Sequence, residues 1–395
     1  RCSRRPREPA IVARAEPPLV FKVISVAAGA LLAFGALEAA LRLLPVQDVS
    51  RHMAVDESYH VNRFRPGSLI TWSNGWAFSL RTTKRANDLG YLNDHDYGGG
   101  DGRPVLAVIG DSFVEALQVP NTAAVHGVLQ EVLAGRGRAF GIGQSGASLA
   151  DYLGYATMAG RELRPAAKVF VIIANDYDEA MCPHAFVKGA KWCFRQGDAD
   201  EYEAVPVRQA PRSGLRRLLA DTAVWRYASY NLGATPTELR QRLADLVNRG
   251  PIWAGNMPAQ VDAGREAAAM RGIELFFRDL PARTGLPADR ILFVVEGVRD
   301  AIYEGRDIAG TYVGRTREAF ITTARAGGHE VIDMHEVFAA HYARNGQPFE
   351  FPEDGHWNAL AHGLVAAQIV ESALYRRLFP TVTPPETLPP GDRGT

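Results

Sequence analysis

The chain has 395 residues and carries 44 basic and 44 acidic side chains, so its formal net charge is zero. A neutral chain lacks the overall basic field with which proteins attract nucleic acid, and the sequence has no zinc-finger spacing, Walker loop or dinucleotide-binding glycine motif. Hydrophobic residues make up 47% and charged residues 22% of the chain, which is typical of globular proteins with a full core.

An apolar run near the N-terminus departs from the globular pattern. Residues 23–37 (VISVAAGALLAFGAL) carry no charge, and apolar residues continue on both sides of them. A membrane-spanning helix needs about 20 apolar residues, and the flanking Lys22 and Arg42 can extend their charges to the two interfaces. Five arginines and only two acids precede Lys22, and this excess predicts that the N-terminus lies in the cytoplasm.

We therefore predict a basic cytoplasmic tail over residues 1–17 and an uncleaved signal anchor over residues 18–45. This places the chain in the inner (cytoplasmic) membrane as a single-pass protein, with the remainder in the periplasm or outside the cell. The alternatives are a cleaved signal peptide, for which no clean cleavage site follows the run, and a buried globular helix. Cys182 and Cys193 lie in one short loop and could form a disulfide in an oxidising compartment, or remain two free thiols.

Residues 46–103 contain turn signals and are interpreted as an N-terminal extension. From residue 104 onward, β-branched runs alternate with helical spacing, which predicts a parallel sheet with helices on both faces. The predicted strands cover residues 105–109, 139–142, 169–174, 291–296 and 330–333. The predicted helices cover residues 122–134, 149–158, about 261–280 and 359–374.

A long connection separates the third predicted strand from the fourth. It is far longer than an ordinary crossover and contains a basic amphipathic stretch, so we predict a helical insertion over about residues 182–288. This insertion either caps the site or forms a packing layer away from it. Residues 378–395 are rich in Pro and Gly and are predicted to be a disordered tail.

A hydroxyl nucleophile follows the first predicted strand, in the sequence GDSF at residues 110–113. Far downstream, DGHWN at residues 354–358 supplies an acid and an imidazole. A serine hydroxyl needs a base within hydrogen-bond reach, and that base needs an orienting carboxylate. Ser112 and Asn175 both follow strand ends, which form the ligand-binding edge of a parallel sheet. The alternative interpretation of Ser112 is a helix cap.

Four blocks across residues 104–377 resemble the SGNH/GDSL hydrolase superfamily. They are GDS at 110–112, GIGQSG at 141–146, ND at 175–176 and DGH at 354–356. The resemblance implies an α/β, flavodoxin-like three-layer sandwich with a parallel five-stranded sheet. It implies that Ser112 is the nucleophile and His356 the base. It also implies an oxyanion hole formed by the backbone N–H groups of Ser112 and Gly146 and the side-chain amide of Asn175.

Three positions depart from the pattern of the superfamily. Ile173 stands where a glycine usually precedes the asparagine, and Gly141 stands where the second block usually has an asparagine. In the last block, Glu353 occupies the usual place of the acid and Asp354 is one residue closer to the histidine. We assign the acid to Asp354 because the form Asp-x-His-Trp-Asn resembles, in part, envelope-anchored members related to alginate O-acetyltransferases. Glu353 is the alternative.

The resemblance implies a serine esterase or O-acyltransferase that acts on an acyl ester, expected to be acetyl, of an envelope or extracellular carbohydrate or lipid. A transferase would need an acyl donor, for which we expect a multi-spanning membrane acyltransferase. We expect no cofactor, no metal and no nucleic-acid partner. The alternative function is a catalytically degenerate SGNH module that binds glycan at the cell envelope.

His362 matches no metal-ligand spacing and is expected in the core, whereas Trp357 could line the pocket or pack beneath its loop.

Overall fold

The computed structural model describes residues 18–185, 189–198, 201–210, 213–234, 253–254, 257–258 and 261–380. The predicted cytoplasmic tail, most of the predicted disordered tail and part of the predicted insertion lie outside these described residues.

The strands and helices of this part of the chain are named here in chain order. The strands are β1 (Met53–Asp56), β2 (Val61–Phe64), β3 (Leu69–Asn74), β4 (Leu80–Arg85), β5 (Val105–Gly110), β6 (Arg138–Gly143), β7 (Ala167–Ile172), β8 (Ala190–Gln196), β9 (Tyr202–Arg208), β10 (Trp253–Ala254), β11 (Met257–Pro258), β12 (Ile291–Val295), β13 (Glu330–Asp333), β14 (Glu350–Phe351) and β15 (Asp354–Trp357). The α-helices are α1 (Leu19–Arg42), α2 (Val49–His52), α3 (Ser112–Glu115), α4 (Val125–Leu133), α5 (Leu149–Glu162), α6 (Asp176–Glu179), α7 (Gly214–Ala220), α8 (Ala223–Arg226), α9 (Ala263–Thr284), α10 (Arg299–Glu304), α11 (Tyr312–Ala326), α12 (Met334–Asn345), α13 (Ala359–Glu371) and α14 (Ala373–Leu378).

A five-stranded sheet with the order β13-β12-β7-β5-β6 forms the centre of the fold, and all its neighbouring strands are parallel. In chain order this is the 2-1-3-4-5 arrangement of flavodoxin-like folds. Strands β5, β6 and β7 are buried at every position, as expected for parallel strands covered on both faces. The predicted α/β fold with a parallel five-stranded sheet is therefore confirmed.

Helices cover the two faces of the sheet. Because side chains alternate along a strand, Ala107 and Ile109 pack on one face with α5, α9 and α11. Leu106 and Val108 pack on the other face with α4, α12 and α13. The sheet and its two helical layers form the predicted three-layer sandwich, and its carboxyl edge is where β5, β6 and β7 end side by side.

The predicted insertion over 182–288 is only partly helical in its described residues. Strands β8 and β9 form an antiparallel hairpin there. Helix α9 belongs to the sandwich itself, because its buried residues join the core on the face covered by α5. The structure joins Cys182 and Cys193 in a disulfide that ties β8 to the preceding loop.

The N-terminal extension folds into two antiparallel hairpins, β1–β2 and β3–β4. Apolar residues of the second hairpin form a small core with Leu117, which follows α3. Helix α1 is 24 residues long, and no residue of its 18-residue apolar stretch is buried inside the protein. By length and composition, α1 is a candidate membrane span, in agreement with the predicted anchor at this position.

Candidate active site

The nucleophile turn, residues 110–117, leads from the end of β5 into α3. The Asp111 carboxylate accepts a hydrogen bond of 2.9 Å from the Phe113 backbone N–H and so begins the helix at Ser112. Gly143, at the end of β6, lies so close that a Cβ there would stand 2.1 Å from the Glu115 backbone nitrogen. Close packing of backbone on backbone therefore fixes the position of Ser112.

The acid–base loop, residues 349–358, brings the histidine to this serine across 244 residues of chain. His356 Nε2 lies 2.9 Å from Ser112 Oγ, and His356 Nδ1 lies 2.5 Å from Asp354 Oδ1. With Nδ1–H donating to the carboxylate, Nε2 can accept the serine proton. The structure thus brings together the three residues predicted for the triad.

Glu353 faces away from the imidazole. Its carboxylate accepts a hydrogen bond of 2.7 Å from Ser79 Oγ, and its backbone carbonyl accepts one of 3.1 Å from Asn74 Nδ2. Asp354 Oδ1 also accepts a bond of 2.9 Å from the His356 backbone N–H. The geometry therefore favours Asp354 over Glu353 as the carboxylate that orients the base.

Opposing effects set the pKa values of this pair. Burial lowers the pKa of His356, but the hydrogen bond and the charge of Asp354 outweigh burial and leave that pKa above its ordinary value. Burial raises the pKa of Asp354, but its bond to His356 outweighs burial and leaves that pKa below its ordinary value. The pair is therefore arranged to stabilise the imidazolium that forms when Nε2 takes a proton.

Sequence reasoning assigned no role to Asp111, which lies beside the nucleophile. Asp111 Oδ2 is 3.1 Å from Ser112 Oγ, so the single proton of the hydroxyl has two possible acceptors, Asp111 and His356. Burial raises the pKa of Asp111 to about 7. A protonated Asp111 would no longer compete for the serine proton, which leaves His356 as its acceptor. The motif position alone gave no sign of this pKa.

The three predicted oxyanion donors follow three adjacent strands, since Ser112 comes after β5, Gly146 after β6 and Asn175 after β7. Gly146 has φ +81, a backbone conformation that favours glycine. The Asn175 side chain hydrogen-bonds with the Glu179 carboxylate, which fixes the orientation of the amide. The donors share one edge of the sheet, and their convergence on a single oxygen stays a prediction.

Two buried side chains that sequence reasoning missed support the turn and the neighbouring loop. Glu115 accepts hydrogen bonds from the backbone N–H of Ser145 (2.9 Å) and from Gln144 Nε2 (3.2 Å). Lys84, on β4, donates from Nζ to the backbone carbonyls of Ala116 (2.6 Å) and Glu115 (3.2 Å). Burial lowers the pKa of Lys84 to about 7. A lysine in a charged β4 segment is more often a surface residue, so nothing in the sequence signals this contact.

Trp357 is fully buried, and its ring packs edge-on against Phe113 at 5.0 Å between centroids. It therefore packs beneath the acid–base loop instead of lining a pocket. Arg299 holds the outside of the same loop by donating to the Gly355 carbonyl at 2.6 Å. His362 is buried against the Trp357 ring, as expected for a core histidine.

Among the described residues, no group of three or more His, Cys, Asp and Glu side chains is placed to hold a metal ion.

No family model matches the chain, and no curated protein matches it. Solved structures do. A member of the lipolytic protein G-D-S-L family from Veillonella parvula is 11% identical, with a TM-score of 0.35, over 68% of this chain and 97% of that one. A lipase/acylhydrolase from Enterococcus faecalis is 10% identical, with a TM-score of 0.36, over 72% and 100%. An acetyl xylan esterase is 14% identical, with a TM-score of 0.35, over 68% and 99%. Because the identities and TM-scores are this low, the description of the fold and the site rests on the sheet order and the distances given above.

Proposed function

We propose that the chain is an SGNH-type serine esterase or O-acyltransferase. The observation that carries the proposal is the continuous hydrogen-bonded series from Ser112 Oγ through the His356 imidazole to Asp354. It lies at the carboxyl edge of the parallel sheet, where ligands of such folds bind. The His356 side chain is 31% exposed, so a substrate can reach the nucleophile from solvent.

The reaction would proceed in two halves. Ser112 Oγ attacks the carbonyl carbon of an acyl ester while His356 Nε2 takes the serine proton, and the carbonyl oxygen becomes an oxyanion. The backbone N–H groups of Ser112 and Gly146 and the Asn175 amide would donate to that oxyanion. The tetrahedral intermediate collapses, His356 returns the proton to the departing alkoxide, and the acyl group stays on Ser112. Water or a second hydroxyl then attacks the acyl-enzyme by the reverse route.

The acceptor in the second half decides between esterase and transferase. We propose that the acyl group is acetyl and that the substrate is a carbohydrate or lipid of the cell envelope. With α1 as a single membrane span, the site would lie in the periplasm or outside the cell. The disulfide between Cys182 and Cys193 supports an oxidising compartment. In the transferase case, a multi-spanning membrane acyltransferase would supply the acyl group.

A serine-reactive fluorophosphonate probe tests the catalytic assignment on the full chain in detergent. We expect the wild type to be labelled and Ser112→Ala to be unlabelled. The control is Ser79→Ala, which removes another serine hydroxyl near the acid–base loop and should be labelled like the wild type. Absence of labelling in the folded wild type would favour the glycan-binding alternative. The ratio of free acetate to acetylated sugar, measured with p-nitrophenyl acetate and an oligosaccharide acceptor, then separates esterase from transferase.

A further inference from the structure

Large apolar side chains are exposed around the C-terminal end of α1. They come from three separate parts of the chain: the residues just after α1, the loop between β3 and β4, and the helices α7 and α8. We call this surface the interfacial face; it comprises Leu43 (89% exposed), Leu44 (48%), Trp76 (77%), Leu218 (68%), Leu219 (45%) and Trp225 (45%).

Buried contacts join the three parts. Leu41 at the end of α1 packs in one small cluster with Ala223 of α8 and with Phe78 of the β3–β4 loop. The Glu38 carboxylate accepts hydrogen bonds of 3.0 Å from the backbone N–H groups at the start of α8. The Tyr227 hydroxyl donates to the Trp76 backbone carbonyl at 2.7 Å. The end of α1, the β3–β4 loop and α8 are therefore packed against one another, and α7 directly precedes α8 in the chain.

The end of α1 sets the height of this surface relative to a membrane. Glu38 lies four residues before Arg42, the last residue of α1, which is about 6 Å along a helix at 1.5 Å per residue. If α1 spans the bilayer, the start of α8 must then lie at the level where the hydrocarbon gives way to the headgroups. Tryptophan prefers this level, and the exposed Arg216 and Arg217 of α7 suit anionic headgroups.

We propose that the interfacial face lies in the outer headgroup layer of an anionic lipid bilayer, beside the anchor helix. The face also adjoins the site, because the loop that carries Trp76 is flanked by Asn74 and Ser79, which hold Glu353 next to Asp354. Resting on the proposed function, the site then takes its acyl ester from a molecule held at the membrane surface.

Site-directed fluorescence on the full chain in liposomes tests the lipid contact without using activity. In a Cys2→Ser background, single cysteines at Trp76 and at Leu218 are labelled with an environment-sensitive dye. The liposomes contain phosphatidylcholine, phosphatidylglycerol and headgroup-proximal doxyl lipid as the quencher. The matched control is Arg325→Cys, an exposed position on α11 beside the edge strand β13.

We expect blue-shifted, lipid-quenched dyes at positions 76 and 218 and a water-exposed dye at 325. Water-exposed dyes at all three positions would overturn the proposal. Dyes at 76 and 218 that are exposed in pure liposomes but shielded in native membranes would also overturn it, and would identify a protein as the occupant.

Kinetics test the substrate part separately. In Trp76→Ser/Leu218→Ser, we expect turnover of a vesicle-held acetyl ester to fall about tenfold relative to turnover of p-nitrophenyl acetate, because the face no longer inserts. An unchanged ratio, in a variant whose added Trp225→Cys dye is no longer quenched by lipid, would overturn the membrane-held substrate and leave the lipid contact of the wild type standing. A wild type that hydrolyses neither ester would instead count against the proposed function.

Discussion

The nucleophile turn and the acid–base loop meet at the 2.9 Å contact between Ser112 and His356, but different interactions hold them. In the turn, all residues after Ser112 are buried, and the position of Ser112 follows from close backbone packing against Gly143. In residues 351–358 of the loop, Trp357 is the only buried residue, and single side chains such as Arg299 and Asn74 hold the rest. The comparison suggests that changes in the turn affect stability first, whereas changes in the loop affect the rate and its pH dependence.

Removing the serine or the histidine side chain has the largest expected effect, because the nucleophile and its base act together in catalysis. Ser112→Ala and His356→Ala should each lower kcat on an acyl ester by about 10³-fold or more. Steady-state kinetics with p-nitrophenyl acetate measure this, with circular dichroism to show that each variant folds. Near-full activity in either variant would remove the triad assignment.

Two adjacent acids in the loop provide the next test. Asp354→Asn should lower kcat by roughly 10³-fold, since the imidazole loses its orienting carboxylate. Glu353→Gln should stay within a few-fold of the wild type, because its carboxylate contacts Ser79 and not the ring. The reverse order in the same kinetic assay would make Glu353 the acid, and two near-normal variants would indicate a Ser–His dyad.

Asn175 tests whether the sheet edge supplies transition-state stabilisation. Asn175→Ala should lower kcat by about 10²-fold with little change in KM, as expected when one oxyanion donor is lost. Asn231→Ala serves as a control for an asparagine of the insertion that donates to Ser73 instead. An effect confined to KM would make Asn175 a substrate-binding residue.

Lys84 tests the expectation that changes around the buried nucleophile turn affect stability. Lys84→Met leaves the carbonyls of Glu115 and Ala116 without their donor and should lower the free energy of unfolding by about 1–3 kcal/mol. Arg81→Met, an exposed charge on the same strand, should change it by less than about 0.5 kcal/mol. Urea titrations of the two variants measure the difference, and equal values would contradict the support assigned to Lys84.

The pH dependence of unfolding sharpens the same point. Lys84 has a folded-state pKa of about 7 and an ordinary value of 10.5, so between these values the unfolded chain binds more protons at this group. Its contribution to stability therefore rises from pH 7 to 10.5 and is lowest below pH 7. When the free energy of unfolding is measured against pH, we expect this rise between pH 7 and 10.5 to be absent from Lys84→Met.

The smallest expected effect is a shift in the pH–rate profile. His356 must be neutral to accept a proton, and its pKa is raised, so the acid limb of kcat/KM should lie above pH 6.5 in the wild type. In Asp354→Asn the residual activity should have its acid limb at lower pH, because the charge that favours the imidazolium is gone. An unmoved limb would mean that another group sets it.

Sequence reasoning reached the sheet and the three residues that the structure brings together as a candidate triad, because both depend on local signals. Buried runs such as 105–109 mark parallel strands, and the blocks around Ser112 and His356 have recognisable spacing. It missed the β8–β9 hairpin within the predicted helical insertion. It also missed Lys84, Glu115 and Asp111, because burial of a charged side chain depends on which distant segments pack around it. The choice between Asp354 and Glu353 rested on a motif, and the neighbours of each carboxylate now support it.

The contacts from β4 to the nucleophile turn also bear on how the chain can be divided. Lys84 and Thr82 together supply donors to the carbonyls of Glu115, Ala116 and Leu117. A shortened chain that begins at residue 104, where the superfamily resemblance begins, would lose these three hydrogen bonds and would uncover the Leu117 side chain, which packs with apolar residues of the hairpin. The segment that the sequence pattern recognises is thus smaller than the segment that holds the nucleophile turn in place. Any transplant of this catalytic unit to another scaffold would have to carry the hairpin that precedes it.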